Sequence, residues 1–180
     1  MAFLKIARLG HPVLRMKANP LSKEELARDG TQRLIDDMVQ TMREARGVGL
    51  AATQVHELKR LFVMEVKTAN PRYPEREELE LTIVANPEIK THSEETEEDW
   101  EGCLSIPDMR GVVPRYASLV LSGLDRKGNP LEIEASGFHA RVIQHELDHL
   151  DGVVFLDRMS DLSTLTHLQE FEDFWLEGGE

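Results

Sequence analysis

Two histidines and a glutamate stand close together in the segment His145-Glu146-Leu147-Asp148-His149. If this segment is helical, the two histidines lie about 40° apart around the axis and about 6 Å apart along it, so both imidazoles can reach one ion. The Glu146 carboxylate lies on a neighbouring part of the same face, where it can take a proton from water. This H-E-x-x-H pattern predicts a metal-dependent hydrolase.

A buried helix whose histidines only form hydrogen bonds within a core is the simpler alternative. Two histidines and a carboxylate on an otherwise apolar helix would then need several compensating polar partners. One metal ion satisfies both histidines at once. We therefore favour a metal site over histidines that only form hydrogen bonds within a core.

The single cysteine of the chain, Cys103, is the natural third ligand. A lone cysteine is often only a small buried apolar residue. Here Gly102 permits close approach of the backbone, the acidic run before Cys103 is unlike a core strand, and a thiolate binds borderline divalent ions strongly. Two nitrogens and one sulfur leave a fourth tetrahedral position open, which is the arrangement of catalytic zinc-type sites.

Other polar residues near these motifs are weaker candidates. We expect His139 to pack or to form a hydrogen bond within its helix, and we expect four further histidines at the surface or in turns: His11, His56, His92 and His167. Asp148 either orients a ligand imidazole or is a carboxylate on the helix surface. The acidic run from Glu94 to Glu101 is interpreted as a solvated face, with Trp100 as its exception.

The spacing of apolar residues predicts the elements that position these side chains. An amphipathic N-terminal helix is predicted over residues 31–46, and Gly47 stops it. A glycine-rich turn follows at 47–54, and two prolines and many charges predict an exposed loop at 67–80. Four strands are predicted, with a hairpin turn at 125–130 between the last two: residues 61–66, 81–85, 112–124 and 131–135.

The H-E-x-x-H segment belongs to a predicted helix that Ser136 caps and that runs to Leu150, with Gly152 just past its end. Because this helix is apolar on most sides, we expect it to be central and buried. A last helix is predicted at about 161–176. The predicted fold class is α+β, with antiparallel β-sheets packed around the central buried helix and with an N-terminal and a C-terminal helix. We expect residues 1–180 to form one catalytic domain.

Composition restricts the partners and the compartment. The formal net charge of −12 argues against binding to nucleic acid, which requires a basic surface. One cysteine excludes an internal disulfide, and a free thiolate ligand suits a reducing compartment. The first residues lack the long apolar core of a secretory signal, and no stretch approaches the roughly 20 apolar residues of a membrane span. We expect a cytoplasmic protein without a membrane partner.

Three blocks of sequence now stand together: G-V-G-L-A-A-T-Q at 47–54, E-G-C-L-S at 101–105 and Q-H-E-L-D-H-L-D-G at 144–152. In this order and at these separations they resemble the three signature motifs of the peptide deformylases, and the resemblance spans essentially the whole chain. It implies a hydrolase of protein biosynthesis that removes the N-formyl group from the formylmethionine of nascent bacterial polypeptides, releasing formate. It also implies a fold of antiparallel sheets around a central helix.

The resemblance implies one divalent ion held by three ligands, Cys103, His145 and His149. Fe²⁺ is the common metal of the family, and the ligand set also suits Zn²⁺, Ni²⁺ or Co²⁺. Water activated by the ion would attack the formyl carbon, and Glu146 would carry the water proton to the leaving amine. The implied oxyanion donors are the Gln54 side-chain amide and the Leu104 backbone N–H. Without the resemblance, Gln54 is better interpreted as an amide that caps a nearby turn.

Substrate binding is also implied by the resemblance. The peptide should lie as an added strand against the backbone at Val48-Gly49 and Gly102. Its methionine side chain should enter an apolar pocket formed by three residues: Val48, Phe138 and Val142. Arg110 matches a family position that contacts substrate carbonyls, although a surface salt bridge is the simpler interpretation. Whether Arg141 faces substrate or solvent stays open.

The C-terminal segment departs from family members whose basic C-terminal helix is thought to dock on the ribosome. No Lys or Arg follows Arg158, and six residues there are acidic: Asp161, Glu170, Glu172, Asp173, Glu177 and Glu180. Such a helix should be repelled by ribosomal RNA, so we predict only transient ribosome proximity, with the Leu/Phe/Trp face packed on the domain.

Two alternatives remain from the sequence. The first is a zinc metallopeptidase whose third ligand lies downstream, at Asp151 or Asp157. The second is a protein without enzymatic activity that binds nascent chains and holds a structural ion.

Overall fold

Two antiparallel sheets and four α-helices make up the computed structural model, in which residues 2–67 and 77–176 are described. The five-stranded sheet has the order β1-β2-β3-β6-β7. Its strands are β1 (Gly49–Ala51), β2 (Leu61–Val66), β3 (Leu79–His92), β6 (Ser118–Leu124) and β7 (Pro130–Ser136). The three-stranded sheet has the order β4-β5-β8, with β4 (Thr96–Cys103), β5 (Ile106–Tyr116) and β8 (Thr166–His167). The helices are α1 (Lys23–Ala27), α2 (Asp29–Glu44), α3 (Gly137–Leu150) and α4 (Leu168–Phe174). The predicted mixture of antiparallel sheets and a few helices is confirmed.

The N-terminal helix α2 starts two residues before its predicted first residue and ends two residues before its predicted last. Its apolar stripe, which includes Ile35, Met38 and Met42, packs in a core cluster with strands β1 and β2. Arg46 takes the left-handed conformation (φ 56°) just beyond the helix, and the Gly47 N–H then bonds the Met42 carbonyl at 2.9 Å. The helix therefore ends in a Schellman turn centred on Arg46 rather than on Gly47.

The strand prediction was right for β2 and close for β7, and the strand predicted at 81–85 lies within the longer β3. The run predicted as one strand at 112–124 is two strands, β5 and β6, that belong to different sheets. The chain leaves one sheet for the other at Ala117, whose N–H bonds the Glu95 carbonyl. No Gly or Pro marks this crossing, and the alternation of apolar residues continues through it. β3 is far longer than the predicted 81–85 and already begins at Leu79, while residues 68–76 of the predicted loop lie outside the described residues.

The prediction of one helix at 161–176 was wrong for its first half. Asp161 accepts the Ser163 N–H and starts a short 3₁₀ turn, Leu162–Thr164. Thr166 and His167 then pair with Arg110 and Met109 of β5. The hydroxyl residues in this stretch favour turn and strand over helix, so only α4 remains helical. Residues 177–180 lie outside the described residues.

Helix α3 lies between the two sheets and contacts strands of both. Ser136 does stand at its N-cap position, but its side chain makes no capping hydrogen bond. At the other end Gly152 is left-handed (φ 76°), and the Val153 N–H bonds the Asp148 carbonyl at 2.9 Å. The backbone of Arg15 would lie 2.8 Å from a Cβ at Gly152, so this turn also requires glycine for space. Among the described residues no helix is long and apolar enough to cross a bilayer.

Candidate metal centre

The structure brings Cys103, at the end of β4, against His145 and His149 of α3. The candidate ligand atoms of the three residues all lie within 4.8 Å of one another. The Cys103 Sγ lies 3.2 Å from the His149 Nε2, and both residues are buried. Burial opposes the thiolate form, but the charges of His149 and His145 and their hydrogen bonds outweigh it, so the pKa of Cys103 lies well below its usual value. One sulfur and two nitrogens at this spacing suit a single divalent ion.

Glu101 orients the first of these imidazoles. Its Oε2 lies 2.8 Å from the His145 Nδ1, which leaves the Nε2 of that ring for the metal cluster. The carboxylate also accepts two hydrogen bonds from Arg115, at 2.8 and 3.0 Å, and one from Arg141 at 3.0 Å. Burial raises the pKa of Glu101, but these partners outweigh it and lower the pKa well below its usual value. The interpretation of this residue as part of a solvated acidic face was wrong.

A signal for Glu101 was present in the sequence. Residues two apart on a strand share a face, so Glu101 accompanies the buried Cys103. The charge of the run concealed this alternation.

Asp148 has neither of the roles proposed for it from the sequence. Asp148 is buried, and its carboxylate accepts hydrogen bonds from the Arg115 guanidinium at 2.6 Å and from the Arg158 guanidinium at 2.7 Å. The Arg115 guanidinium therefore lies between the Asp148 and Glu101 carboxylates. Asp148 thus reaches the His145 imidazole only through two intervening side chains.

The Arg141 side chain is shielded from bulk solvent, and it contacts protein backbone as well as the cleft. It is buried on α3 and donates to the backbone carbonyls of Glu97 and Val113, both at 2.6 Å. These bonds attach α3 to both β4 and β5. The residue also lines the cleft described below.

Glu146 is buried beside the metal ligands with its Oε2 unpaired among the described residues. Burial raises the pKa of this carboxyl to about 7, although the charges of His145 and His149 oppose that shift. The side chain lies directly on β1, because a Cβ at Gly49 would stand 2.2 Å from the Glu146 Oε1. An unpaired carboxyl with a pKa near neutrality is suited to proton transfer.

The Gln54 amide is held at three points inside the fold. Its Oε1 accepts the Ala51 N–H at 2.9 Å, so it does cap a turn, as its local sequence indicated. Its Nε2 donates to the Ser105 Oγ at 3.1 Å and lies 3.6 Å from the Cys103 Sγ. Ser105, which was not singled out from the sequence, therefore directs the amide toward the metal ligands.

A cleft opens beside the metal ligands. All of the candidate site residues except His149 and Arg110 line it, as do four others: Gly47, Trp100, Glu101 and Arg141. Arg110 is buried, and it packs against Gly102 so closely that its Nη1 would lie 1.8 Å from a Cβ placed there. Arg110 therefore does not lie at the surface, where its simpler interpretation had placed it.

The downstream ligands of a zinc metallopeptidase are absent from this centre within the described residues. Asp151 pairs with Arg60 at 2.7 Å, and Asp157 pairs with Arg15. The other histidines also lie elsewhere. The His11 Nδ1 accepts the Val13 N–H, and His92 stacks on Tyr116 with ring centroids 3.6 Å apart.

Comparison with known proteins supports the same kind of site as the geometry does. The sequence profile described as polypeptide deformylase matches residues 3–164. The chain is 46% identical to peptide deformylase 2 of a Nostoc species over 172 residues, which cover 94% of this chain and 93% of that protein. It is 44% identical to peptide deformylase 2 of Pseudomonas putida over 158 residues, 88% of each protein.

Solved structures of similar proteins share the fold. A class I type b peptide deformylase from Acinetobacter baumannii, bound to Met-Ala-Ser, superposes with a TM-score of 0.84 at 40% identity, covering 88% of this chain and 99% of the other. A peptide deformylase from Thermotoga maritima gives a TM-score of 0.78 at 36% identity, covering 89% of this chain and all of the other.

Proposed function

The chain belongs to the polypeptide deformylase family, and from this premise we propose which of its residues perform the reaction. The protein is a metal-dependent hydrolase that removes the N-formyl group from nascent peptides. The observation that carries the assignment of residues is the convergence of one thiol and two imidazoles beside an unpaired, buried carboxyl.

Cys103, His145 and His149 would hold the divalent metal ion that the family implies. The donor set fits such an ion, because the thiol pKa is already lowered and Glu101 fixes the ring of His145. When bound, the ion supplies Lewis acidity, lowering the pKa of water and polarising the formyl carbonyl. We propose Fe²⁺, while the same donors also suit Zn²⁺, Ni²⁺ or Co²⁺.

Glu146 carries protons in this proposal. Its unpaired Oε2 accepts a proton from the attacking water and then delivers it to the amine nitrogen that leaves with the peptide. Burial keeps bulk water away from the carboxyl, so the proton stays within the site. The contact with Gly49 fixes where the carboxyl oxygens lie.

The developing oxyanion would be stabilised by two N–H donors. The Gln54 Nε2 is directed toward the Cys103 side by Ser105, which accepts its other hydrogen. The Leu104 backbone N–H lies in the turn between β4 and β5, directly after the cysteine. Loss of one such donor typically lowers the rate by about 10²–10³-fold.

The substrate would bind as an added strand between the two walls of the cleft. Val48 and Gly49 form one wall and Gly102 the other, and their backbone groups would bond the formylated peptide. Phe138 and Val142 line the same cleft and would receive the methionine side chain. We propose that Arg110 supports the Gly102 wall from behind, where its guanidinium lies.

The protein is proposed to act in the cytoplasm, as a single domain over residues 1–180, on N-formylmethionyl peptides and nascent chains. The cysteine ligand suits a reducing compartment. The acidic residues of α4 argue against docking on ribosomal RNA, so contact with the ribosome should be transient. Salt-sensitive ribosome binding that disappears when residues 161–180 are deleted would contradict this part.

Formate release from formyl-Met-Ala-Ser tests the proposal. Protein loaded anaerobically with Fe²⁺ should release formate, and the Glu146→Gln variant should lose several orders of magnitude in kcat while its metal content and circular dichroism stay the same. A variant that keeps wild-type turnover would refute the role of Glu146.

The variant Cys103→Ala separates this site from other metal sites. Loss of bound metal, measured by elemental analysis, is expected because one of three ligands is removed. Retention of stoichiometric metal and of activity would refute the ligand set.

A further inference from the structure

We propose that residues 4–14, here called the N-terminal segment, hold the two oxyanion donors at a fixed spacing. The backbone N–H groups of Ala7 and Leu9 act as positioning groups, one for Gln54 and one for the turn that carries Leu104. The inference rests on the proposed function, because it concerns the donors assigned there. It adds residues that do not line the cleft in the described part of the chain.

The first bond of the N-terminal segment holds the backbone of Gln54. The Ala7 N–H donates to the Gln54 carbonyl at 2.7 Å, and both residues are buried. The Gln54 side chain is bonded separately, to the Ala51 N–H and to the Ser105 Oγ. Because the amide can keep one direction only while its own backbone stays in place, the bond from Ala7 helps to position the Gln54 Nε2.

The second bond holds the turn that carries the other donor. The Leu9 N–H donates to the Ser105 carbonyl at 2.8 Å. Ser105 directly follows Leu104 in the turn between β4 and β5, and its own N–H lies 3.4 Å from the Cys103 Sγ. A movement of Ser105 would therefore displace both the Leu104 N–H and the hydroxyl that holds the Gln54 amide.

One segment thereby joins two parts of the site that are distant in the chain. Gln54 and Ser105 are separated by 51 residues, yet their carbonyls accept N–H groups that are only two residues apart. Two residues of an extended chain span at most about 7 Å. Because covalent geometry limits that span, the segment restricts how far the two donors can separate before substrate binds.

The N-terminal segment is fixed before its two bonds to the site. The Leu4 N–H donates to the Thr41 Oγ1 of α2 at 2.9 Å. The Leu4 side chain packs against the core cluster that α2 forms with β1 and β2. The segment therefore reaches Gln54 from a point that the core holds in place.

A turn and a buried cluster fix the segment after its two bonds. Gly10 is left-handed (φ 99°), and the His11 N–H bonds the carbonyl three residues before it at 2.9 Å. This tight turn favours glycine at its third position. Beyond the turn, Val13 and Leu14 are buried in one cluster with Ala7. Ala7 and the residues that follow it are therefore held by packing as well as by hydrogen bonds.

The two bonds act on the reaction through the position of the donors. An oxyanion donor must lie about 2.7–3.1 Å from the place that the oxygen will occupy. Because that charge develops only in the transition state, a displaced donor lowers kcat and changes KM little. A segment that contributed only to stability would instead lower the Tm, and loss of any of its buried bonds would have the same effect.

Exchange of the Ala7 amide for an ester tests the first bond in the full-length protein. Lactic acid at position 7 keeps the methyl group but replaces the N–H by an oxygen, which would repel the Gln54 carbonyl from its present 2.7 Å. That carbonyl must then move by about 0.5 Å, which corresponds to about a tenfold loss on the scale of about 10²-fold for 1 Å. With Fe²⁺-loaded protein and formyl-Met-Ala-Ser, we expect kcat to fall about tenfold and KM to stay within about twofold.

A second pair of esters supplies the matched control. Leucic acid at position 9 removes the bond to Ser105 and should also lower kcat several-fold. The same acid at position 4 removes the bond to Thr41, which lies on α2, and should leave kcat and KM within about twofold of the wild type. An unchanged kcat in the position 7 ester, or an equal loss in the position 4 ester, would overturn the inference.

A double-mutant cycle with Gln54→Ala identifies the route of the effect. That variant lacks one donor and should lose about 10²–10³-fold in kcat, after which the ester at position 7 should lower kcat by less than about twofold. A further tenfold loss in the Gln54→Ala protein would overturn the inference. Wild-type kcat in Gln54→Ala alone would refute the donor assignment of the proposed function and, with it, this inference.

Nuclear magnetic resonance tests the inference without turnover. In ¹⁵N-labelled protein loaded with diamagnetic Zn²⁺, the Gln54 side-chain amide gives one pair of signals, identified by its disappearance in Gln54→Ala. The ester at position 7 should shift this pair, and the ester at position 4 should leave it in place. An unmoved pair in the position 7 ester would overturn the inference, whereas absence of formate release from the wild type would instead refute the proposed function.

Discussion

Replacement of Gly49 by alanine tests the role of Glu146 without altering Glu146. A Cβ at position 49 would lie 2.2, 2.6 and 2.8 Å from the Oε1, Cδ and Cγ of Glu146, while ordinary contacts begin near 3.4 Å. The carboxyl must therefore move by roughly 1 Å away from Gly49. A misplacement of about 1 Å in a catalytic group costs about 10²-fold in rate, which corresponds to about 2.7 kcal/mol in the barrier.

The assay for Gly49→Ala is formate release under saturating formyl-Met-Ala-Ser, with metal content measured on the same sample. We expect kcat to fall about 10²-fold with full metal occupancy, since none of the three ligand side chains is displaced. Gly30→Ala is the matched control, because no atom lies within 4 Å of a Cβ at Gly30, and its kcat should equal that of the wild type. A kcat for Gly49→Ala within about threefold of the wild type, or a loss of rate that follows loss of metal, would refute the reasoning.

Two further predictions concern stability. Arg115→Met should lower the free energy of unfolding by about 3 kcal/mol and the Tm by roughly 6–12 °C, because the carboxylates of Glu101 and Asp148 lose a buried partner; calorimetry that shows a change below about 1 kcal/mol would contradict this. The Arg43 hydrogen bond lowers the pKa of Glu65, so the stability from this pair is complete above the unfolded pKa near 4.5 and is lost as the pH falls. Glu65→Gln should therefore be less stable than the wild type at pH 7, and in urea titrations this difference should shrink as the pH falls below about 4.5; a difference that stays constant would refute the assignment.

The fold was predictable where one periodicity dominates. Helix α3 carries enough apolar residues to be identified from spacing alone, and β2 has the bounds that its sequence indicated. The break at Ala117 was not predictable, because apolar spacing is the same before and after a strand changes sheets. The segment before α4 was misassigned because Leu162, Leu165 and Leu168 fit helical spacing, while pairing with β5 decides its conformation.

The contrast between Cys103 and Glu101 shows the same limit within the site. Cys103 could be singled out because it is the single cysteine of the chain and a thiolate is a strong metal ligand. The H-E-x-x-H spacing could be interpreted because it places both histidines on one face of any helix, without distant contacts. Glu101 stands in a run of mostly exposed acidic residues, and although its spacing from Cys103 places the two on one face of a strand, nothing in its residue type distinguishes it from Glu98. Only the packing of β4 against α3 turns it toward His145 and Arg115.

By itself the sequence determined the chemistry of this protein: which donors could bind a metal, which carboxyl could move a proton, and the family to which three short motifs point. These are properties of side-chain type and of spacing within one helix or one turn, and they need no distant contact. The tertiary structure alone decided which groups support that chemistry. The Glu101–Arg115–Asp148 network, the Ser105 contact with Gln54 and the contact between the Trp100 and Trp175 rings all join residues that are far apart in the chain. Such contacts depend on how the two sheets close around α3, and no local pattern encodes that closure.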